Sequence, residues 1–311
     1  HPPGHQQTPC TRMAASSPPA HSVVWKDVSA TIVQKRGAAP RQILHDSYGA
    51  VQAGSAEDNK GLLALMGASG SGKTTLLTIL AAHEPCASGD VRLDGVPYDG
   101  STGAKIGFVP QADRLFSTLT VGETLRFAAK LRGGASEAQV GRLLQELELT
   151  HVEHTRVGDP EAIKRQGVSG GERKRCAVGV ELVHSPPLLI LDEPTSGLDS
   201  RTAANLMASL ARLAAQQAVI CSLHQPSARA FAHVSRLLLL SAGGHTAYYG
   251  AAPAAVAHFA SVGAPVPQFT NPAEHYLDVL GEADAPPIAK LMAAAADAKA
   301  ALDGTPDAPP P

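Results

Sequence analysis

Between residues 22 and 282 the chain alternates short apolar runs with amphipathic segments. The apolar runs span residues 62–66, 106–109, 188–191, 219–223 and 237–240. Each run has the length of a strand rather than of a helix, and most are bounded by Gly, Pro or charged residues. Because most of the runs are apolar at every position, we expect parallel strands that are covered on both faces.

Helix signals lie between these predicted strands. Thr120 with Glu123, and Ser136 with Gln139, have the spacing of a capping box, in which side chains satisfy the free backbone N–H groups of a helix start. After the second pair, apolar side chains recur at helical spacing at Val140, Leu143, Leu144 and Leu147. The pattern predicts a helical insertion in an α/β frame.

A second amphipathic stretch, residues 200–217, lies between the predicted strands 188–191 and 219–223. This order predicts two parallel strands joined by a right-handed helical crossover. The two ends of the chain differ, since residues 1–20 and 283–311 hold eleven of the 24 prolines. We therefore predict a disordered N-terminal segment at 1–21 and a Pro/Ala-rich linker or tail at 283–311.

Composition excludes some classes of partner. The 26 basic and 28 acidic side chains give a formal charge of −2, so no general field attracts nucleic acid and none is expected as a partner. No apolar run reaches the roughly 18 residues of a membrane helix, so this chain alone predicts no transmembrane segment. The four cysteines form no CxxC pair, which is typical of free thiols in a reducing compartment.

A glycine-rich loop follows the predicted strand 62–66 and precedes a helical run at 75–82. It fits the pattern GxxxxGK followed by Ser or Thr, which belongs to loops that cradle phosphate groups. Glycines let backbone N–H groups point at one anion, Lys73 bridges the β- and γ-phosphates, and the Thr74 hydroxyl ligates Mg²⁺. We expect a nucleoside triphosphate at Gly67, Ala68, Ser69, Gly70, Ser71, Gly72, Lys73, Thr74 and Thr75.

Two carboxylates end the predicted strand 188–191. Asp192 is expected near Mg²⁺, and Glu193 points to the other side of the strand, where it can polarise an attacking water. A strand that ends in Asp-Glu is common and carries little information alone. Together with the phosphate loop it indicates a site that hydrolyses the nucleotide.

Residues 168–175 read Val-Ser-Gly-Gly-Glu-Arg-Lys-Arg. Ser169 and Glu172 fit a capping box, and the stretch also resembles the signature loop of ABC-type ATPases. In that family the capped helix tip closes over the γ-phosphate bound by the opposite subunit. The two interpretations agree, because capping builds the anion site. The resemblance implies nucleotide contacts from Ser169, Gly170 and Gly171.

Other elements resemble the same family and occur in the same order. Gln111 matches the Q-loop, Asp199 in residues 196–199 matches the D-loop, and His224 matches the switch histidine. Across residues 22–282 the chain resembles the white-type, subfamily G half-transporters. That closer resemblance rests on residues 119–131, on Glu172 in the signature, on 224–227 and on 271–278.

The resemblance implies an α/β fold, a P-loop NTPase (RecA-like) core with a mostly parallel sheet, an antiparallel β part and an inserted α-helical signature subdomain at about 112–185. The expected cofactors are ATP and Mg²⁺. The implied catalytic residues are Glu193, His224, Lys73 and Gln111; the implied metal ligands are Thr74, Gln111 and Asp192; Asp199 is implied to contact nucleotide.

The family also implies partners for the chain. A second ABC cassette would form a homo- or heterodimer and supply Ser169 in trans. A transmembrane domain is expected downstream in the same polypeptide, absent from this chain, and it alone would contact a lipophilic transport substrate for export. The domain would lie at the cytoplasmic face of a membrane. Two alternatives stay open, a soluble ABC ATPase and a non-hydrolysing, ATP-gated interaction module.

Three weaker signals in the sequence concern an aromatic position, a histidine pair and a basic cluster. Many ABC proteins carry an aromatic residue that stacks on adenine, but at that place this chain has Ser-Ala-Thr at residues 29–31. Trp25 lies nearby, and we expect it in the core rather than against adenine. His151 and His154 have the spacing of a metal pair, but no further ligand completes a site. A basic cluster favours a solvated helix face and consists of Lys164, Arg165, Arg173, Lys174 and Arg175.

Overall fold

Two β-sheets organise the residues that the computed structural model describes, which are 21–32, 40–54, 61–132, 135–159, 167–281 and 286–303. The strands are β1 Ser22–Ile32, β2 Arg41–Gln52, β3 Leu62–Gly67, β4 Ser88–Leu93, β5 Val96–Pro97, β6 Gly107–Val109, β7 Leu188–Leu191, β8 Ala218–Ser222, β9 Arg236–Leu240 and β10 Thr246–Ala251. The helices are α1 Lys73–Leu80, α2 Val121–Leu131, α3 Glu137–Glu146, α4 Gly170–Leu182, α5 Ser200–Leu213, α6 Ala228–Phe231, α7 Ala254–Ser261, α8 Pro272–Gly281 and α9 Pro286–Asp303.

The larger sheet has the strand order β10-β9-β3-β8-β7-β6 and is parallel except for β10. The smaller sheet has the order β2-β1-β4-β5 and is antiparallel. All five apolar runs of the sequence contribute a strand to the larger sheet, as predicted. The fold class is therefore mixed α/β, with a mostly parallel sheet and an antiparallel sheet.

The larger sheet is buried on both faces, which explains why its strands are apolar throughout. In β3 the side chains alternate between two hydrophobic clusters: Leu62, Ala64 and Met66 join one, while Leu63 and Leu65 join the other. The alternation follows from the two-residue period of a strand. The first cluster includes side chains of α2, α3, α4 and α5, and the second includes side chains of the smaller sheet and of α1.

The predicted crossover is present, since α5 connects β7 to β8 and these two strands pair in parallel. Helices α2, α3 and α4 fall between β6 and β7 in chain order. The Thr120 and Glu123 side chains form the predicted capping box at α2. At α3 the Ser136 side chain accepts the Gln139 N–H, which is the hydroxyl half of that arrangement. The predicted helical stripe is buried at Val140, Leu143, Leu144 and Leu147.

Trp25 belongs to the core, as predicted. It lies in β1 and is 1% exposed. Its indole N–H donates to the Ser47 hydroxyl over 3.2 Å, and its ring meets the edge of Tyr249. An indole with its polar atom satisfied inside the protein has no free face for adenine.

Residues 286–303, within the segment predicted as a Pro/Ala-rich linker or tail at 283–311, form the helix α9. The helix packs against β10, buries Leu291, accepts a hydrogen bond from the Tyr48 hydroxyl at the Ala295 carbonyl and places Lys299 in an ion pair with Asp27. Alanine is the strongest helix former, and the proline count of the segment concealed that property. The predicted N-terminal segment covers residues 1–21, of which 1–20 lie outside the described residues.

Candidate functional site

The glycine-rich loop connects β3 to α1 and turns through residues with positive φ. Gly70 has φ +76° and Gly72, which caps α1, has φ +91°. A side chain at Gly72 would also collide with the Ile43 carbonyl oxygen of β2. Glycine is required there for both the dihedral angle and the close approach. The turn exposes the first N–H groups of α1 on the side of the loop, where the helix dipole favours an anion.

The charged residue of this loop is half-buried Lys73. Its ammonium group donates to the carbonyl oxygens of Gly67 over 2.9 Å and Ala68 over 3.0 Å. Burial lowers the pKa of Lys73, while the negative charges of Glu193 and Asp192 oppose that shift. The lysine is therefore held over the loop and close to both acidic side chains.

Asp192 lies immediately after β7 and is 8% exposed. One carboxylate oxygen accepts the Thr74 hydroxyl over 3.0 Å, and the other accepts the Ser222 hydroxyl over 2.6 Å. Thr74 at the end of the phosphate loop and Asp192 at the end of β7 are therefore in direct contact. Hydroxyl and carboxylate oxygens are the hard ligands that Mg²⁺ prefers.

Glu193 follows Asp192 directly, and its backbone has φ +45°. Its side chain accepts the Gln111 amide over 2.8 Å, and its backbone N–H donates to the Ser222 hydroxyl over 2.7 Å. The structure therefore brings together five polar residues from four segments: Thr74, Gln111, Asp192, Glu193 and Ser222. Four of them are candidates from the sequence.

The signature residues form the tip of α4. The Ser169 side chain accepts the Glu172 N–H, and the Glu172 carboxylate accepts the Ser169 N–H over 2.7 Å, which completes the predicted capping box. Burial alone would raise the pKa of Glu172, but hydrogen bonds from Ser169 and His151 outweigh it and lower the pKa. Ser169 and Gly170 are exposed, and Gly171 packs against Thr202. The tip is therefore rigid and accessible.

Asp199 and His224 are both exposed. The Asp199 side chain caps α5 by accepting the N–H groups of Arg201 and Thr202, each over 3.0 Å. Its pKa is lowered by hydrogen bonds from the Thr202 hydroxyl and backbone. His224 lies two residues after the end of β8. The described side-chain contacts of Ser169 and Asp199 are local to their own helices.

Comparisons with known proteins identify the family. A family model described as "ABC transporter" matches residues 58–196, which include the loop and both acidic residues. "ABC transporter G family member 22" from Arabidopsis thaliana is 41% identical over 82% of this chain and 34% of its own length. "ABC multidrug transporter I" from Aspergillus fumigatus is 41% identical over 83% of this chain and 17% of its own length. "Putative white-brown complex homolog protein 30" from Arabidopsis thaliana is 38% identical over 84% and 24%.

The chain belongs to the G family of ABC transporters. It spans less than half the length of these curated relatives, from 17% to 34%. The activity, substrates and partners of the whole relatives are therefore proposals for this chain.

A second family model, described as "ABC-2 type transporter", matches residues 224–293. The sequence prediction placed the membrane part of the transporter wholly outside the chain, so this match is a correction: the G-family chain also carries an ABC-2 region. The matched residues include α6, β9, β10, α7, α8 and the start of α9. Within the described residues, none of the helices combines the length and apolar character that crossing a bilayer needs.

Two features of the G-family site were missed by the sequence prediction. Ser222 is the last residue of β8 and bridges Asp192 to the Glu193 backbone. Lys174 donates to the Gln111 carbonyl over 3.0 Å. A hydroxyl at the end of an apolar strand is a weak sign of Ser222, and no sequence pattern indicates the partner of Lys174.

The prediction of a solvated basic face is wrong at the start of α4. Lys174 is 4% exposed and pairs with Asp113 over 2.6 Å, while Arg173 donates to the Gly158 carbonyl over 2.5 Å. These two cations of α4 therefore contact neighbouring segments of the chain rather than solvent alone. Lys164 and Arg165 lie outside the described residues.

The histidine pair does not form a metal centre in the part of the chain that is described. The His151 ring contacts the Glu172 carboxylate over 2.9 Å. No group of three or more potential His, Cys, Asp or Glu ligands comes together among these residues. His151 therefore contacts the residue that completes the capping box of the α4 tip.

Proposed function

We propose that this chain is the ATP-binding and ATP-hydrolysing part of a G-family half-transporter. Its larger sheet with α1 and α5 would be the P-loop, RecA-like core, and α2, α3 and α4 would be the inserted signature subdomain. The observation that carries the proposal is the meeting of Thr74, Asp192, Glu193 and Gln111 beside the phosphate loop. Thr74 and Asp192 are 118 positions apart in the sequence, and Gln111 and Glu193 are 82 apart. A purely structural loop would not need these residues together.

The residues present fit a magnesium nucleotide. The Ser71 hydroxyl in the loop is buried and has no hydrogen-bond partner among the described residues, so the cradle retains an unused donor. Thr74, Asp192 and the exposed Gln111 would hold Mg²⁺ through oxygen atoms. The metal ion would supply neutralisation of phosphate charge when bound. Lys73 and the N–H groups at the start of α1 would bind the phosphate oxygens.

Hydrolysis would depend on the chain's own acid and base groups. Glu193 would take a proton from the attacking water as the water oxygen bonds to the γ-phosphorus and the bond to the β-phosphate oxygen breaks. The exposed His224 would position that water. Lys73 would neutralise the charge that moves to the leaving oxygen. Catalysis of this kind is mainly positioning and electrostatics.

The exposed α4 tip supports a head-to-tail dimer. Ser169 and Gly170 are exposed, and together with N–H groups of the helix start they would bind the nucleotide held by the loop of a second ABC cassette. Asp199, also exposed, would contact the same interface. Closure around ATP would drive export of a lipophilic substrate by a membrane domain, with this domain at the cytoplasmic face.

The test replaces the proposed base. Glu193→Gln keeps the shape of the side chain, so we expect ATP binding by calorimetry to be retained while phosphate release falls about 10²- to 10⁴-fold. Glu146→Gln on the exposed side of α3 is the matched control. Turnover that survives in Glu193→Gln refutes the assigned base. Binding without hydrolysis in the unaltered chain would favour the ATP-gated interaction module instead.

A further inference from the structure

A buried lysine joins the signature helix to the segment that follows β6. Lys174 lies five residues after the α4 tip and is 4% exposed. Its ammonium group contacts an Asp113 carboxylate oxygen over 2.6 Å and donates to the Gln111 carbonyl over 3.0 Å. One cation therefore holds both ends of the three-residue segment 111–113.

Burying an ammonium group is costly unless a partner compensates it. Asp113 supplies that partner, and Arg173 approaches the same carboxylate at 3.9 Å while anchored to the Gly158 carbonyl. The ion pair fixes where the remaining donors of Lys174 point. One of them meets a backbone carbonyl, which a simple charge pair would not require.

The residue held in this way touches the proposed base. Gln111 is exposed, yet its side-chain amide donates to the Glu193 carboxylate over 2.8 Å. Its backbone carbonyl accepts a hydrogen bond from Lys174. A chain of direct contacts thus leads from α4 through Lys174 and Gln111 to Glu193.

We propose that Lys174 is a positioning residue for ATP hydrolysis. It fixes the backbone of residues 111–113 so that the Gln111 side chain meets Glu193 in a defined place. Lys174 lies on α4, whose tip would bind the nucleotide of the second cassette. The position of α4 in each cassette would therefore affect the position of that cassette's own base, Glu193. This inference rests on the proposed ATPase function.

A lysine in a buried ion pair could instead serve stability alone, and one double variant separates the two roles. Lys174→Met with Asp113→Asn removes both charges together, so no uncompensated charge stays buried. If the ion pair serves stability alone, the double variant should keep the activity of the unaltered chain. The bond to the Gln111 carbonyl would not be repaired, since Met carries no donor.

The experiment uses the whole 311-residue chain and two readouts. For the double variant we expect kcat to fall about 10- to 100-fold through misplacement of the site. The ATP dissociation constant should change by less than about threefold, because Lys174 does not touch the phosphate loop. Without nucleotide, amide hydrogens of residues 107–113 should exchange faster than in the unaltered chain. Lys130→Met, at an exposed lysine of α2, should match the unaltered chain in every measurement.

Several results would overturn the proposal. Unaltered kcat in the double variant, unaltered exchange at 107–113, or a loss of ATP affinity as large as the loss of kcat would each do so. If circular dichroism shows the double variant unfolded, Asp113→Asn alone is judged by the same criteria. If the unaltered chain does not hydrolyse ATP, the proposed function fails, and exchange at 107–113 still decides whether Lys174 fixes this segment.

Discussion

Ser222 gives the sharpest prediction about the acidic site. Its side chain is fully buried at the end of β8. The hydroxyl donates to Asp192 over 2.6 Å and accepts the Glu193 backbone N–H over 2.7 Å. Ser222→Ala removes a donor and an acceptor in one step, with almost no change in volume.

The expected cost follows from these two bonds. The Asp192 carboxylate, a charged acceptor, would lose the hydroxyl that donates to it. The Glu193 N–H would lose its acceptor at a residue whose backbone already has φ +45°. A charged hydrogen bond and an unsatisfied amide together correspond to about 2–4 kcal/mol of unfolding free energy. Since both acidic side chains lose a support, we also expect kcat for ATP hydrolysis to fall about tenfold or more.

The assay combines urea unfolding with phosphate release on the same preparations. Ser209→Ala is the matched control, because Ser209 is also buried but its hydrogen bonds, to the Asn205 carbonyl and from the Arg212 side chain, stay within α5. We expect the control to keep full turnover. If Ser222→Ala unfolds at the same urea concentration as the unaltered chain and hydrolyses ATP at the same rate, Ser222 does not support the acidic pair.

Three further predictions test the core, a cap and the C-terminal helix. Trp25 is the only tryptophan of the chain, and its emission should resist acrylamide quenching and stay unchanged on adding ATP; strong quenching by ATP would contradict its place in the core. The Asp199 pKa is lowered by its hydrogen bonds, so its charge stabilises the fold above the ordinary pKa and this contribution is lost as pH falls through the folded-state pKa. The gap in urea midpoint between the unaltered chain and Asp199→Asn should therefore be constant near neutral pH and shrink below about pH 4; a gap independent of pH would exclude the charge. Leu291→Ala should cost about 2–5 kcal/mol in urea unfolding and Leu131→Ala, at an exposed leucine, much less; equal effects would mean that α9 is not packed.

The sequence predicted the strands of the larger sheet well because burial on both faces leaves an unmistakable mark. Residues 62–66 and 188–191 read as apolar runs bounded by turn residues, and both became buried strands. The caps at Ser169 and Thr120 were predictable for a related reason, since capping depends on residues three positions apart. Local chemistry therefore specifies these features.

Features that depend on distant segments could not be predicted. Lys174 looked like one member of a solvated basic cluster, because its partner Asp113 is far away in sequence and belongs to no pattern. The helix at 286–303 was hidden by prolines at its ends, although its alanines favour a helix. In both cases the deciding free energy comes from tertiary burial, which overrides composition.

The strand order explains why Ser222 matters and why the sequence did not reveal it. In chain order β7 and β8 follow each other, but in the sheet β8 lies between β3, which leads into the phosphate loop, and β7, which leads into Asp192. Parallel strands bring their carboxyl ends to one edge, where ligands bind in open α/β sheets. The last residue of β8 is therefore placed beside Asp192, and a small hydroxyl there can bond to the carboxylate on one side and the next backbone N–H on the other. An apolar side chain at that position would leave both groups without the partner that the topology offers them.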